Sequence, residues 1–271
     1  MNAATASNAG HPERANEDFV AASDGALVMV DGAGIRGAEH LCEHGVAWYS
    51  RNLGTELLRR LDERPGATLP EVLRDSIARV TAMHSDTCQV ADPSSPQASV
   101  AVVRRSGSDL DWLVLGDAYV VVEGQEPLVL TDGREVAVRS AATRRLDGLA
   151  PGTAEHDREL EMAIETLRAR RNRVGGYWIA KENPDAALHA VIGRLNLPAG
   201  GCVAVLSNGA ARLVEPYRVT DWPGLVTMLR EDGPEGVLRR LRRAERSLTV
   251  LPDDASIGCW TAPHETAQTW R

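Results

Sequence analysis

Two patterns of apolar residues alternate along the chain: short runs that stop at acidic turns, and longer stretches apolar at every third or fourth position. Ala26–Asp31 is a short run closed by Asp-Gly, which predicts a buried strand that delivers Asp31 to its end. From Ala38 to about Leu61, residues Leu41, Val46, Trp48, Tyr49, Leu53, Leu57, Leu58 and Leu61 recur at mixed helical steps, and Pro65-Gly66 then breaks the helix they predict. A second helix, Leu69–Thr87, carries Val72, Leu73, Ile77, Val80 and Met83 on one face. After the loop Asp92–Pro96 comes a meander of strands at Ala98–Val103, Leu110–Leu115, Ala118–Val122 and Leu128–Leu130, separated by Ser-Gly-Ser, Gly-Asp and Gly-Gln turns. Helices are predicted at Ala154–Arg173, Asn183–Leu195, Trp222–Arg230 and Glu235–Arg246, and buried strands at Cys202–Leu206 and Ser256–Trp260. Residues 1–13 are small and polar and are expected to be flexible.

Composition narrows this picture. A chain of 271 residues, 43% hydrophobic, is long enough for one large domain with a full core. A net charge of −8 argues against a general nucleic-acid surface or an anionic-membrane surface. Lys181 is the only lysine, which we read as the codon bias of a GC-rich genome. No apolar run is long enough to span a bilayer and the chain does not begin like a signal peptide, so the cytoplasm is the expected location. Cys42, Cys88, Cys202 and Cys259 form no Cys-x-x-Cys pair and show no metal-ligand spacing, so they read as reduced, buried thiols rather than as disulfides or metal ligands.

The candidate chemistry lies in short acidic motifs spread over the chain: Asn16-Glu17-Asp18, Asp31-Gly32-Ala33-Gly34, Gly116-Asp117 and Asp253-Asp254-Ala255-Ser256. Leu206-Ser207-Asn208-Gly209 stands where a further acidic ligand is expected. Carboxylates at the ends of apolar strands suit hard divalent cations, which take carboxylate, carbonyl and water ligands. This set and order of motifs, from about Arg14 to about Trp260, resembles the metal-dependent protein phosphatases of the protein phosphatase 2C type.

The resemblance implies an α+β fold, a four-layer α/β/β/α sandwich of two antiparallel sheets flanked by helices. It implies a single domain over 14–271 with a flap-like insertion at about 141–198. It further implies two Mn²⁺ or Mg²⁺ ions, with a weaker third, and hydrolysis of a phosphoprotein or small phosphoester by metal-activated water. Residue by residue, Glu17 and Asp18 match the family's N-terminal carboxylate pair. Asp31 matches the aspartate shared by both metals, and Gly32 supplies a carbonyl. Asp253 matches a ligand of the other metal, Asp117 a supporting turn carboxylate, and Asp132 a ligand of the third ion. Arg14 is the counterpart of the family's phosphate-gripping arginine, one residue closer to the acidic pair than usual. Asn208 replaces an aspartate that binds metal, and Ala33 a histidine that some members use as general acid. The alternative implied by Asn208 is a weakly active or inactive phosphatase-like binding domain.

Other features have plainer readings. His40-Leu41-Cys42-Glu43-His44 has the H-x-x-E-H zinc spacing of inverted-motif metalloproteases, but no third ligand is evident downstream. His11, His84, His156, His189 and His264 are isolated. The clusters Arg168, Arg170, Arg171, Arg173 and Arg239, Arg240, Arg242, Arg243 read as solvated helix faces, because glutamates interleave with them. Gly175-Gly176-Tyr177-Trp178 is read equally well as a substrate-positioning segment beside the flap or as a turn followed by core aromatics.

Overall fold

A computed structural model describes residues 2–34, 37–196 and 201–261. Among them, two antiparallel five-stranded sheets face each other. One sheet has the spatial order β1 (Asn2–Asn8), β10 (Ala255–Thr261), β9 (Val203–Leu206), β6 (Tyr119–Val122), β7 (Leu128–Thr131). The other runs β2 (Phe19–Ala22), β3 (Ala26–Ala33), β4 (Gln97–Ser106), β5 (Asp109–Leu115), β8 (Val191–Asn196).

Successive side chains on a strand point to opposite faces, and this sorts the core into three layers. On β3, Leu27 and Met29 face the other sheet, where they meet Val203, Val205 and Trp260. Val28 and Val30 face outward, onto α1 (Gly45–Glu63) and α2 (Leu69–His84). On β9, Ala204 and Leu206 face outward onto α6 (Trp222–Glu231) and α7 (Gly233–Leu248). The result is the expected four-layer α/β/β/α sandwich. The helix ends have local causes: Thr68 and Glu71 form a reciprocal capping box before α2, and Asp221 caps α6 by accepting from the Gly224 N–H.

Several elements differ from the sequence reading. The long first helix starts only at Gly45, and Glu39–Leu41 is a separate 3-10 turn. Asn2–Asn8, expected to be flexible, is strand β1. It pairs along its whole length with β10, so backbone hydrogen bonding holds a segment that has no apolar pattern. The segment expected to be a helix at Asn183–Leu195 divides into a 3-10 turn, Pro184–His189, and β8, which pairs with β5. Val191 and Ile192 are β-branched and suit that edge strand. An unforeseen helix α3 (Arg134–Thr143) packs on α4 (Ala154–Arg170); α3 buries no residue and α4 only Ala163, so the pair projects from the sandwich. Tyr177 and Trp178 are buried, and Trp178 stacks on His189 at 3.5 Å, which is the core reading of that segment. All four cysteines are free and buried. His264 lies outside the described residues. No helix among the described residues is long and apolar enough to cross a membrane.

Candidate metal centre

The predicted acidic residues converge at one end of the sandwich because the strands that carry them end there. Asp18 immediately precedes β2, Asp31 closes the apolar part of β3, Asp253 and Asp254 precede β10, and Asn208 follows β9 as the first residue of the single turn α5 (Asn208–Ala211). Asp117 occupies the turn between β5 and β6.

Hydrogen bonds fix this arrangement. Asp31 is paired with Ser99 of β4, and the Ser99 hydroxyl donates to Asp117 Oδ1 at 2.8 Å while accepting the Asp117 N–H at 3.2 Å. Gly116 takes the left-handed φ of +79° that this turn needs, and a Cβ there would lie 2.4 Å from the Ser99 hydroxyl. The Asn208 N–H donates to Asp31 Oδ2 at 2.7 Å, and Asn208 Nδ2 donates to Asp117 Oδ2 at 3.2 Å. Gly32 lets the N-terminal segment approach: a Cβ at Gly32 would stand 2.3 Å from both the Glu17 carbonyl oxygen and the Ser50 hydroxyl.

Asp254 has a role that its motif did not reveal. Its Oδ1 accepts the Gly10 N–H at 2.7 Å and its Oδ2 the Glu17 N–H at 2.6 Å. It clamps the segment carrying Arg14, Glu17 and Asp18 across the site. Asp253 pairs with Arg212 at the rim and keeps its side chain half exposed. Arg14 lines a cavity of about 550 Å³ together with Glu17, Glu39, Cys42 and His44, and its charge lowers the pKa of Glu17.

Arg139 was missed by sequence reasoning, because the exposed helix α3 gives no core signal. Its guanidinium donates to Asp117 Oδ2 at 3.2 Å and to Glu135 at 2.6 Å. Asp132 is engaged elsewhere. Both of its oxygens accept from the Arg134 side chain. The H-x-x-E-H pattern does not form a helical zinc face, since His40 lies in the 3-10 turn and His44 precedes α1. Three of the four arginines in the second run form ion pairs, Arg239 with Glu235, Arg240 with Asp232 and Arg242 with Glu245.

The electrostatics of the site are those of a cation cradle. Both oxygens of Asp18 are buried with no hydrogen-bond partner. Burial is the main cause that pushes its carboxyl up to about 7, and Asp254 and Asp253 add to it; the nearby Ser256 and Ser207 hydroxyls offset part of the rise without reaching hydrogen-bond geometry. Burial, then the charges of Asp254 and Asp253, raise Glu17 to about 7. Burial and the charges of Asp18 and Asp117 hold Asp31 well above the usual carboxylate range, against the Asn208 N–H. A divalent cation removes all three penalties at once, and an orphaned, desolvated carboxylate is the donor it requires. The residues present therefore fit a hard divalent metal.

Comparison with known proteins agrees with this fold. The serine/threonine phosphatase PstP/Ppp of Mycobacterium tuberculosis superposes with a TM-score of 0.62 at 16% identity, over 97% of this chain and 99% of that one. The catalytic domain of a serine/threonine protein phosphatase PstP in complex with two manganese ions gives a TM-score of 0.61 at 16% identity, over 95% of this chain and 96% of that one. The S. agalactiae serine/threonine phosphatase gives 0.61 at 14% identity, over 96% of this chain and 99% of that one. The PPM Ser-Thr phosphatase MsPP from Mycobacterium smegmatis, in complex with cacodylate, gives 0.58 at 16% identity, over 96% and 97%. No protein-family model matches the chain, and no curated protein matches it by sequence. The protein has the fold of the bacterial PPM, or protein phosphatase 2C-like, serine/threonine phosphatases.

Proposed function

We propose that the protein is a divalent-metal-dependent phosphomonoester hydrolase that acts on phosphoserine or phosphothreonine in a phosphoprotein, in the cytoplasm, with Mn²⁺ or Mg²⁺. The observation that carries this reading is the buried, unpartnered carboxylate of Asp18 beside Asp31, in a fold shared with phosphatases. Asp18, Asp31 and Asp253 are the candidate ligands, with Glu17, the Gly32 carbonyl and the Asn208 amide oxygen beside them. A dication bound there supplies Lewis acidity toward phosphoryl oxygens and lowers the pKa of water. The chain's own groups do the rest. Asp254 holds Glu17 and Asp18 in place through two backbone N–H groups, and Asn208 and Ser99 orient Asp31 and Asp117.

Arg14, which lines the cavity, is the group we assign to grip a phosphate fork-wise. The cavity it lines with Glu17 offers room for the residue that bears the phosphate. A purely binding role is less well supported, because the substitution at Asn208 leaves the neighbouring carboxylates in place. The test is hydrolysis of a chromogenic aryl phosphate and of a phosphothreonine peptide in Mn²⁺ or Mg²⁺. Turnover that survives chelation, or that is unchanged in Asp31→Ala, rejects the proposal.

A further inference from the structure

The wall of the Arg14–Glu17 cavity contains part of a second set of ligands, built from sulfur and nitrogen rather than oxygen: Cys42 and His44 line the cavity. Cys42 follows the 3-10 turn, His44 immediately precedes α1, His84 is the last residue of α2, and Cys88 comes one helical turn later. Because α1 and α2 pack against each other in sheet-covering register, the start of one meets the end of the other. The two thiol sulfurs and one ring nitrogen from each histidine all lie within 4.8 Å of one another. His44 Nδ1 is 3.3 Å from Cys88 Sγ, and His84 Nδ1 is 3.6 Å from Cys42 Sγ.

We propose that Cys42, His44, His84 and Cys88 bind one structural Zn²⁺ ion, at a site separate from the carboxylate centre. A tetrahedral zinc with two sulfur and two nitrogen ligands has ligand–ligand edges of about 3.3–3.8 Å. The two shortest cross-contacts already fall in that range, and the widest pair needs to close by only about 1 Å. A thiol–imidazole hydrogen bond accounts for either pair alone, but not for the convergence of both pairs on one point. Charge also fits. Two thiolates and two neutral imidazoles cancel the dication, so a neutral unit occupies a place where Cys42 and His84 are each 4% exposed. Glu43 stands 4.0 Å from His44 Nε2, on the side of the ring away from the sulfurs, where a carboxylate orients a ligating imidazole. The soft donors select zinc, whereas the oxygen cluster around Asp31 selects Mn²⁺ or Mg²⁺. Binding deprotonates both thiols and releases their two protons to solvent.

The ion would tie together parts that frame the other site. The Gln89 N–H donates to the Leu41 carbonyl at 2.8 Å, so the loop after α2 is already stitched to the 3-10 turn beside the cluster. Val46 and Ser50, in the first turns of α1, lie against Gly32. Zinc thus anchors the end of the helix that backs the Asp31-Gly32 pair.

The test starts with the intact protein, purified without chelators under reducing conditions and dialysed, with zinc and manganese counted by plasma mass spectrometry. The expectation is about one zinc per chain, retained in Asp31→Asn and lost in Cys88→Ser and Cys42→Ser. Cobalt titrated into the stripped wild-type protein should give thiolate-to-cobalt absorption in the near ultraviolet and the intense visible bands of a tetrahedral site. Both should saturate at one equivalent, be bleached by Zn²⁺ and be untouched by excess Mn²⁺. Wild-type protein that carries no zinc and gives no thiolate band with cobalt overturns the proposal. So does a Cys42–Cys88 disulfide that persists in reductant, or a cobalt spectrum that survives in folded Cys88→Ser. If the serine variants do not fold, the wild-type cobalt titration alone decides.

Discussion

The backbone N–H of Asn208 donates to Asp31 Oδ2 at 2.7 Å, joining the end of a strand in one sheet to the end of a strand in the other. The side chain of the same residue reaches Asp117 Oδ2 at 3.2 Å. Asn208 therefore holds two carboxylates with donors, at a position where an aspartate would add a further negative charge.

Replacing it tests which need dominates. In Asn208→Asp the donor to Asp117 becomes an acceptor and the metal-free site gains a repulsive charge, so thermal unfolding without metal should occur at lower temperature than in wild type. With metal the added carboxylate is a charged ligand, worth about 1.5–3 kcal/mol by analogy with hydrogen bonds to charged groups, or roughly one to two decades in affinity. Mn²⁺ titration by calorimetry should show that gain, and turnover at limiting Mn²⁺ should rise with it. Unchanged affinity would mean that Asn208 does not face the ion.

Asp254 should matter as much as the ligands while touching no metal. Asp254→Ala strands the N–H groups of Gly10 and Glu17, at a cost of about 2–3 kcal/mol, since both are charge-assisted bonds in a partly buried site. Released from the clamp, Glu17 and Asp18 lose their position, and Mn²⁺ affinity should fall about tenfold. Asp254→Asn keeps one acceptor oxygen and should lie between the two. Denaturant unfolding and Mn²⁺ titration of the three proteins check the order.

Gly32→Ala should be among the most disruptive small substitutions in the chain. Its Cβ would meet the Glu17 carbonyl and the Ser50 hydroxyl at 2.3 Å, so β3, α1 or the N-terminal segment must shift, costing about 2 kcal/mol or more. Gly66→Ala, where a Cβ meets nothing within 4 Å, is the control and should leave both stability and metal binding unchanged. Unfolding free energies of the two variants make the comparison.

Much of this arrangement was legible in the residues. The strand ends that carry Asp31, Asn208 and Asp253 announce themselves as apolar runs closed by Asp-Gly and Ser-Asn-Gly or opened by Asp-Asp, and alternation such as Val28/Val30 against Leu27/Met29 follows from burial on both faces. What stayed hidden lacks a local signal. Strand β1 is small and polar, and only its register with β10 makes it a strand. Helix α3 has no fully buried residue, so Arg139 gave no sign of reaching Asp117. The Asp254 clamp spans 244 residues to Gly10, and the thiol–imidazole contacts at Cys42–His84 and His44–Cys88 span 42 and 44; each depends on the packing of distant elements.

Finally, the metal-free protein should lose stability as pH rises from acid to neutral, the reverse of ordinary acid denaturation. In the folded chain the Glu17 and Asp18 carboxyls are raised to about 7, chiefly by burial, and Asp31 is raised as well. Unfolded, such groups ionise near pH 4. Below that pH they are protonated in both states and cost nothing. Between about 4 and 7 the unfolded chain has released protons that the folded chain still holds, so stability falls until the folded pKa is passed. The depressed pKa of His84, caused first by burial, acts in the opposite direction, so a Glu17→Gln/Asp18→Asn variant is needed to isolate the carboxylates. That variant should flatten the decline. Wild-type protein without metal should unfold roughly 5 °C lower at pH 8 than at pH 5. Saturating Mn²⁺ should reverse the slope, because the cation binds the deprotonated ligands and stabilises the folded state more as pH rises. Thermal melts between pH 5 and 8, with and without Mn²⁺, check both signs; a flat metal-free profile in wild type would show that Asp18 and Glu17 are not desolvated as the structure has them.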